Sequence, residues 1–125
     1  MKRIISTTKA PAAIGPYSQA IEVNDTLYIS GQIPVNPENG KVDALTIEQQ
    51  AEQVLQNIGA ILQAAGYGYS DVVKSTIFIT DMKNFSVVNE VYKKYYTEKF
   101  PARSTVAVKE LPLGVMVEIE TIAVK

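Results

Sequence analysis

The sequence contains neither cysteine nor histidine. Without cysteine there is no disulfide bond, no thiolate nucleophile and no zinc–thiolate site. Without histidine the chain also lacks the commonest general base and the commonest transition-metal ligand of proteins. Catalysis near neutral pH would therefore use carboxylates, tyrosine, lysine, arginine, hydroxyls, backbone groups or water. Because no acidic loop of the EF-hand type is present either, we expect no bound metal.

Long hydrophobic runs and an excess of either charge are also absent. The apolar start of the chain ends at Ser6, so we predict no signal-peptide core and no membrane span. The formal net charge is -1, and the lysines after residue 90 alternate with glutamates, which is typical of a solvated helix face. We expect a soluble cytoplasmic protein that binds neither membranes nor nucleic acids.

What is present indicates one ordered domain over residues 1–125, because 46% of the residues are hydrophobic and 20% charged. The clearest predicted helix is Thr46–Ala65, where Thr46 and Gln49 fit a capping box and Gly66 fits a left-handed C-cap. A second helix is predicted over Ser86–Lys99 and is ended by Pro101.

Runs of β-branched residues predict five strands, with room for another at the start. Two helices can cover only one face of such a sheet, which predicts an α+β domain of two layers with a mixed β-sheet. In the third strand, Val73, Ser75 and Ile77 are expected to share one face. The predicted strands are Ser18–Val23, Thr26–Ser30, Val72–Thr80, Ser104–Val108 and Val115–Val124.

The last strand predicts self-association. One set of alternating residues, from Val115 to Ala123, suits packing under the helices. The other set mixes aliphatic side chains with Glu118 and Glu120, which is unusual for a face exposed to solvent. We therefore expect an oligomer whose sheets line its centre.

Arg103 is one of only two arginines, and it stands among small and β-branched residues. A guanidinium is always charged and matches a carboxylate through two parallel hydrogen bonds, so it needs an anion nearby. If the last two strands pair, Glu118 or Glu120 could be that anion and Arg103 would be structural. Alternatively, Arg103 binds the carboxylate of a ligand, and Glu118 holds and polarises a water molecule.

Four further residues have both a structural and a functional interpretation. Tyr17 follows a Gly-Pro loop, where its phenol either packs at the surface or projects into a cleft. Ser30 and Gly31 either simply end a strand or offer a hydroxyl and a free N–H to a ligand oxygen. Asn89 is by default solvated or bonded locally. The stripe formed by Tyr92, Tyr95 and Tyr96 has the spacing of core residues.

Four motifs resemble the RidA (YjgF) family of enamine/imine deaminases. The match runs in order from about Thr8 to Val124 and includes helix residues such as Asn57 and Asn89. The motifs are Ala10-Pro11-Ala12-Ala13-Ile14-Gly15-Pro16-Tyr17-Ser18-Gln19, Ser30-Gly31-Gln32-Ile33-Pro34, Pro101-Ala102-Arg103-Ser104 and Val117-Glu118-Ile119-Glu120.

The resemblance implies a chorismate-mutase-like homotrimer with an active site at each subunit interface. It implies hydrolysis of 2-aminoacrylate and related enamines and imines, including 2-iminopropanoate and 2-iminobutanoate, to 2-oxo acids and ammonia. These substrates are released by pyridoxal-phosphate-dependent dehydratases, and the deaminase itself binds no cofactor.

Carried over by motif, the resemblance makes Arg103 the carboxylate clamp and Glu118 the residue that positions water. Substrate contacts would come from Tyr17, Ser30, Gly31, Asn89 and the backbone of Thr105. Many relatives have cysteine where this chain has Thr105, so no thiol-dependent activity is carried over. A non-catalytic sensor of 2-oxo acids would share the same anchor and stays an alternative. Ribonuclease activity is disfavoured by the charge and the missing histidine.

Overall fold

The computed structural model describes all residues, 1–125, as a six-stranded mixed sheet with two α-helices on one face. The strand order is β1-β2-β3-β6-β4-β5, and only the β4–β5 pair is parallel. The predicted α+β domain of two layers is confirmed. The elements are β1 Arg3–Ile5, β2 Ala20–Val23, β3 Thr26–Gln32, α1 Ile47–Ala65, β4 Val72–Ile79, α2 Phe85–Tyr95, β5 Ala102–Ala107 and β6 Val117–Val124.

The first helix begins and ends where its sequence signals predict. The Thr46 side chain accepts a hydrogen bond from the Gln49 N–H at 3.1 Å. The Gln49 side chain accepts from the N–H of Leu45, one residue before the position that a capping box uses. At the other end Gly66 has φ 84°, a conformation that glycine adopts without steric cost, and it closes the helix. Neither helix is long and apolar enough to cross a membrane.

Burial of α1 against the sheet forms the core. The apolar stripe of α1 meets the inward-facing residues of β3, β4 and β6, and each fully buried aliphatic side chain contributes about 1.5–3 kcal/mol to folding. The largest fully buried side chains are Leu27, Leu55, Ile58, Ile61, Leu62, Ile77, Ile79, Ile119, Val54, Val88, Val91 and Val117.

One predicted boundary, the end of the second helix, is wrong by four residues, and four strand boundaries are wrong by two. Strand β2 begins at Ala20, β5 at Ala102 and β6 at Val117, and β3 ends at Gln32. The second helix ends at Tyr95 and not at Lys99, because Tyr96 is extended (φ −117°, ψ 97°) and turns its ring into the core. Strand β3 continues through Gly31 to Gln32 instead of ending at Ser30.

The alternation of buried and exposed side chains along β4 is interrupted at the start of the strand. The pairing with β6 is irregular between Val72 and Lys74, so Val72 is buried and Val73 is 45% exposed. Val73 therefore does not share the inner face with Ser75 and Ile77, as simple alternation predicted, because a bulge reverses the side-chain alternation.

The last two strands do not pair with each other, so the condition for the structural interpretation of Arg103 is not met. Both pair with β4, with β5 parallel on one side and β6 antiparallel on the other. The reason is the connection through α2, which makes β4, α2 and β5 a crossover unit that places two parallel strands side by side. Strand β6 then fills the position between β3 and β4.

The sheet face away from the helices has no covering layer. On β6 the inward residues Val117, Ile119 and Ala123 are fully buried, as predicted, while Glu118 is half-buried and Val124 is 40% exposed. Apolar residues of other strands also lie on this uncovered face: Ile4, Tyr28 and Val106.

The contact between Gly59 and Tyr69 supplies a test of core packing. The Tyr69 hydroxyl donates a 2.7 Å hydrogen bond to the Leu55 carbonyl, across the bare Cα of Gly59. A Cβ on residue 59 would collide with that hydroxyl and lie 2.7 Å from Cζ. We expect Gly59→Ala to lower the free energy of unfolding by about 1–3 kcal/mol, despite the better helix propensity of alanine.

Urea denaturation measures that cost, and the Tyr69→Phe background is the control. Removing the hydroxyl relieves the nearest collision, so Gly59→Ala should cost less in that background. An equal cost in both backgrounds would show that the hydroxyl is not the obstacle.

Candidate active site

Arg103 has no carboxylate partner in the protein. Its Nη1 donates a 2.7 Å hydrogen bond to Oδ1 of Asn89 on α2, and this is its one hydrogen bond. The other arginine, Arg3, forms a 2.8 Å ion pair with Glu22. The structure therefore rejects the interpretation of Arg103 as half of an internal ion pair with Glu118 or Glu120.

The guanidinium lines a cleft of about 370 Å³ at the edge of the sheet. The fold determines this position. Strand β5 lies at the edge of the sheet, and Arg103 is beside the buried Ser75 of β4. The Arg103 side chain is therefore on the face of the sheet that α2 covers. Phe100 is 65% exposed and lies at the mouth of the cleft. The lining residues are Asn89, Tyr92, Lys93, Phe100, Pro101 and Arg103.

Two aromatic rings also contact the guanidinium. The central carbon of Arg103 lies 5.0 Å from the centre of the Tyr92 ring and 5.6 Å from that of Phe85. Tyr92 is buried, as its core spacing predicted, but it also contacts the site, which the sequence reasoning missed. The sequence did contain a signal that Tyr92 belongs to the site. Phe85, Asn89 and Tyr92 are spaced as i, i+4 and i+7, which places them along one face of a helix.

Glu118 lies on the opposite face of the sheet, against Gly31 of β3. A Cβ on residue 31 would collide with Oε2 of Glu118 and lie 2.9 Å from its carboxyl carbon, so a larger residue at position 31 would displace this side chain from its present position. Burial, followed by repulsion from Glu120, raises the pKa of the Glu118 carboxyl above its ordinary value. A carboxyl with a raised pKa is better suited to exchanging protons near neutral pH.

Tyr17 projects as one of its two interpretations predicted, with 53% of its surface exposed. Together with Gly31 it lines a second cleft of about 390 Å³, whose walls include Ile14, Ile33 and Leu113. This cleft is separate from the one that holds Arg103.

Ser30 differs from the prediction of a free donor pair. Its hydroxyl donates a 2.6 Å hydrogen bond to the Ser18 carbonyl, and its N–H donates to the Gln19 carbonyl at 3.0 Å. Only the lone pairs of the hydroxyl remain for a ligand. Thr105 lies two residues after Arg103 on the same face of β5, opposite Ile77 of β4.

Arg103 and Glu118 therefore do not meet within one chain. In the strand register, Arg103 lies beside Ser75 of β4, and Glu118 lies beside Phe78 of the same strand. Because Ser75 and Phe78 point to opposite faces of the sheet, Arg103 and Glu118 do so too. Strands β5 and β6 lie on either side of β4, so the two residues are about 10 Å apart across the sheet. Their partners on β4 are three residues apart, which separates them by about another 10 Å along the strand direction. No group of three or more acidic side chains is placed to hold a metal ion.

Comparison with known proteins gives a consistent result over the whole chain. Residues 7–125 match the model of the family described as Endoribonuclease L-PSP. The mouse protein named 2-iminobutanoate/2-iminopropanoate deaminase is 50% identical over 100% of this chain and 93% of its own length.

Solved structures agree closely with the fold. A Yersinia pestis protein of the conserved Rid family superposes with a TM-score of 0.98, at 53% identity over 100% of both chains. The Escherichia coli protein TdcF, whose crystal structure contains bound serine, has a TM-score of 0.94 and 45% identity over 98% of each chain.

The raised pKa of Glu118 predicts how stability depends on pH. The folded state favours the protonated carboxyl of Glu118. Ionisation of Glu118 therefore destabilises the fold at pH values above its folded pKa. This destabilisation vanishes below the pKa of glutamate in the unfolded chain, about 4.3, where both states are protonated. We expect Glu118→Gln to raise the free energy of unfolding at pH 7.5, measured by urea denaturation. The increase should be up to about 1 kcal/mol, because solvent partly screens the charge.

That stabilisation should shrink as the pH falls toward about 4, where wild type also carries a neutral group. Glu110→Gln, which removes an exposed carboxylate, serves as the control and should show no such trend. A pH-independent difference for Glu118→Gln would contradict the assignment.

Proposed function

The chain belongs to the endoribonuclease L-PSP family, which is the RidA (YjgF) family that its motifs resemble, and we propose that it is a 2-iminobutanoate/2-iminopropanoate deaminase. It hydrolyses the C=N bond of a 2-imino acid to give a 2-oxo acid and ammonia. The enamine 2-aminoacrylate enters the same reaction as its imine tautomer, 2-iminopropanoate.

One observation carries the roles of the residues in this proposal: the uncompensated charge of Arg103 in an open cleft. All substrates of this class have a carboxylate beside the reacting carbon, and the free donors of the guanidinium match it. The relative TdcF binds serine, which carries the same group. Arg103 therefore anchors the substrate, and Asn89 orients Arg103 through its 2.7 Å hydrogen bond.

Glu118 supplies the proton transfers. Its carboxylate accepts a proton from water as the water oxygen bonds to the imine carbon and the C=N π electrons move to nitrogen. Glu118 then returns this proton to the nitrogen of the resulting tetrahedral carbinolamine. Ammonia leaves as the hydroxyl oxygen releases its proton to solvent and forms the carbonyl of the 2-oxo acid. Because a protonated imine carbon is already electrophilic, placing water beside an anchored substrate provides most of the acceleration.

The remaining predicted contacts complete the pocket. Gly31 lies against Glu118 and lines the second cleft together with Tyr17, and the lone pairs of Ser30 accept a hydrogen bond. The backbone of Thr105 belongs to the edge strand β5, two residues after Arg103. No cofactor takes part.

The complete site forms between two copies of the chain. A four-carbon substrate cannot reach Arg103 and Glu118 of one protomer, because they lie on opposite faces of the sheet and about 10 Å apart in each in-plane direction. An interface that joins two different surfaces is heterologous, and such interfaces close into rings. The family resemblance sets the number at three, as a chorismate-mutase-like homotrimer.

The uncovered sheet face supports this assembly. It carries exposed apolar residues, including Ile4, Tyr28 and Val106, with no helix to cover them. Burial against neighbouring copies removes this surface from water. In the cell, the trimer would act in the cytoplasm on reactive products of pyridoxal-phosphate-dependent dehydratases.

Replacing Arg103 tests the anchor. We expect Arg103→Ala to lower the rate of 2-iminobutanoate loss in a dehydratase-coupled assay at least 100-fold with the fold retained, because the substrate is no longer held beside water. Arg3→Ala removes the other arginine, which pairs with Glu22, and should leave the rate unchanged.

Unchanged turnover in Arg103→Ala would refute the assignment. The competing sensor function predicts a different result for the wild-type protein: it would bind 2-oxobutanoate without accelerating imine hydrolysis.

Mixing two inactive variants tests the shared site. Arg103→Ala and Glu118→Gln should each be inactive alone, whereas co-refolding them in equal amounts should restore about a quarter of the wild-type rate. That fraction arises because one interface in four joins an intact Arg103 to an intact Glu118 when protomers associate at random. If both residues act within one protomer, the mixture will stay inactive.

A further inference from the structure

The three side chains that contact the Arg103 guanidinium are all uncharged, and the other charged residue that lines its cleft, Lys93, is a second cation, paired with Glu90. We propose that Phe85, Asn89 and Tyr92 form a neutral cradle that positions the guanidinium without neutralising it, so that its charge stays available to the substrate carboxylate. This inference rests on the proposed role of Arg103 as the anchor. It makes Phe85 and Tyr92 positioning residues, since they act through Arg103.

One stripe of α2 provides all three members of the neutral cradle. Phe85, Asn89 and Tyr92 lie at i, i+4 and i+7 along the helix, which brings their side chains onto the face that meets β5. The ring centres lie 5.6 Å and 5.0 Å from the guanidinium carbon, and the Asn89 oxygen lies 2.7 Å from Nη1. Both rings are within the distance at which a cation is attracted to an aromatic face.

The absence of an acid from the neutral cradle matters for binding. A carboxylate at this position would form a bidentate pair with Arg103 and compete with any incoming anion. An amide oxygen and two ring faces attract the cation more weakly and leave the remaining donors of its fork unpaired. The nearby carboxylate of Glu90 pairs with Lys93, at 3.0 Å, and not with Arg103.

The Tyr92 ring is itself held rigidly. It is 4% exposed, and its centre lies 4.4 Å from the centre of the Tyr96 ring, which also packs on Tyr69. The Tyr92 hydroxyl makes no hydrogen bond to Arg103, whose partner is Asn89. The ring, and not the hydroxyl, is therefore the part of Tyr92 that matters for Arg103.

Replacing Asn89 by its charged isostere tests the neutrality of the cradle. We expect Asn89→Asp to raise both the Kd for 2-oxobutanoate, measured by calorimetry, and the KM for 2-iminobutanoate at least 10-fold, because the introduced carboxylate would pair with Arg103. Asn24→Asp makes the same chemical change in the exposed turn between β2 and β3, at least three strand positions from β5, and should shift neither value more than about twofold. Equal effects of the two variants would overturn the proposal.

Replacing Tyr92 tests positioning by the ring. Tyr92→Leu should raise the same Kd and KM at least 10-fold with a smaller effect on kcat, while the conservative Tyr92→Phe keeps the ring and restores both to within about twofold. Tyr67→Leu, a similarly buried change whose ring lies beside Lys125 and not beside Arg103 or Tyr92, controls for lost core packing and should leave Kd unaltered. Equal shifts in Tyr92→Leu and Tyr67→Leu would show a packing effect and reject the cradle.

Phe85→Leu keeps the test decisive if Tyr92→Leu does not fold. Phe85 is 37% exposed, so this variant should fold and should raise the Kd for 2-oxobutanoate severalfold. An unchanged Kd would then reject the cradle.

Failure of the proposed function gives a different result from failure of the cradle. A wild-type protein that neither binds 2-oxobutanoate nor hydrolyses the imine would overturn the proposed function. An active wild type whose variants are unaffected would reject the cradle alone.

Discussion

The positive charge of Arg103 has no anion to balance it within the protein, and the organisation of the site follows from that fact. The guanidinium is in contact with one amide oxygen and two aromatic rings, at the edge of an open cleft. A charge in such surroundings is costly unless an anion arrives, which favours binding of a carboxylate ligand. Arg3 shows the contrasting case, since its pairing with Glu22 fastens the first strand to the sheet.

The strand order determines where that charge lies. Because α2 connects β4 to β5 as a parallel crossover, β5 lies at the sheet edge directly beside α2. Arg103 therefore faces the stripe of α2 that carries Asn89 and Tyr92. Strand β6 enters on the other side of β4, and its alternation turns Glu118 to the uncovered face, into the space that Gly31 leaves by lacking a side chain. The same sheet thus separates the anchor from the proposed proton carrier.

In the proposed function, that separation links catalysis to assembly. The chain presents Arg103 at its helix-covered edge and Glu118 on its bare face, so the proposed site is complete only when copies associate. Burial of the apolar residues of the bare face would drive this association. In this arrangement the carboxyl of Glu118, whose pKa burial already raises, would become still less exposed on association.

Local patterns in the sequence were enough to locate both helices, to predict the alternation of β6 and the type of fold, and to single out Arg103 as a charge that needs an anion. Capping residues, glycine conformation and side-chain periodicity depend on near neighbours, so they are legible without the fold. The sequence could not exclude an internal partner for Arg103, because β5–β6 pairing was equally compatible with it, and it did not show that Tyr92 serves both the core and the site. Strand order and the face that each residue presents come from long-range packing, and only the tertiary structure decided them.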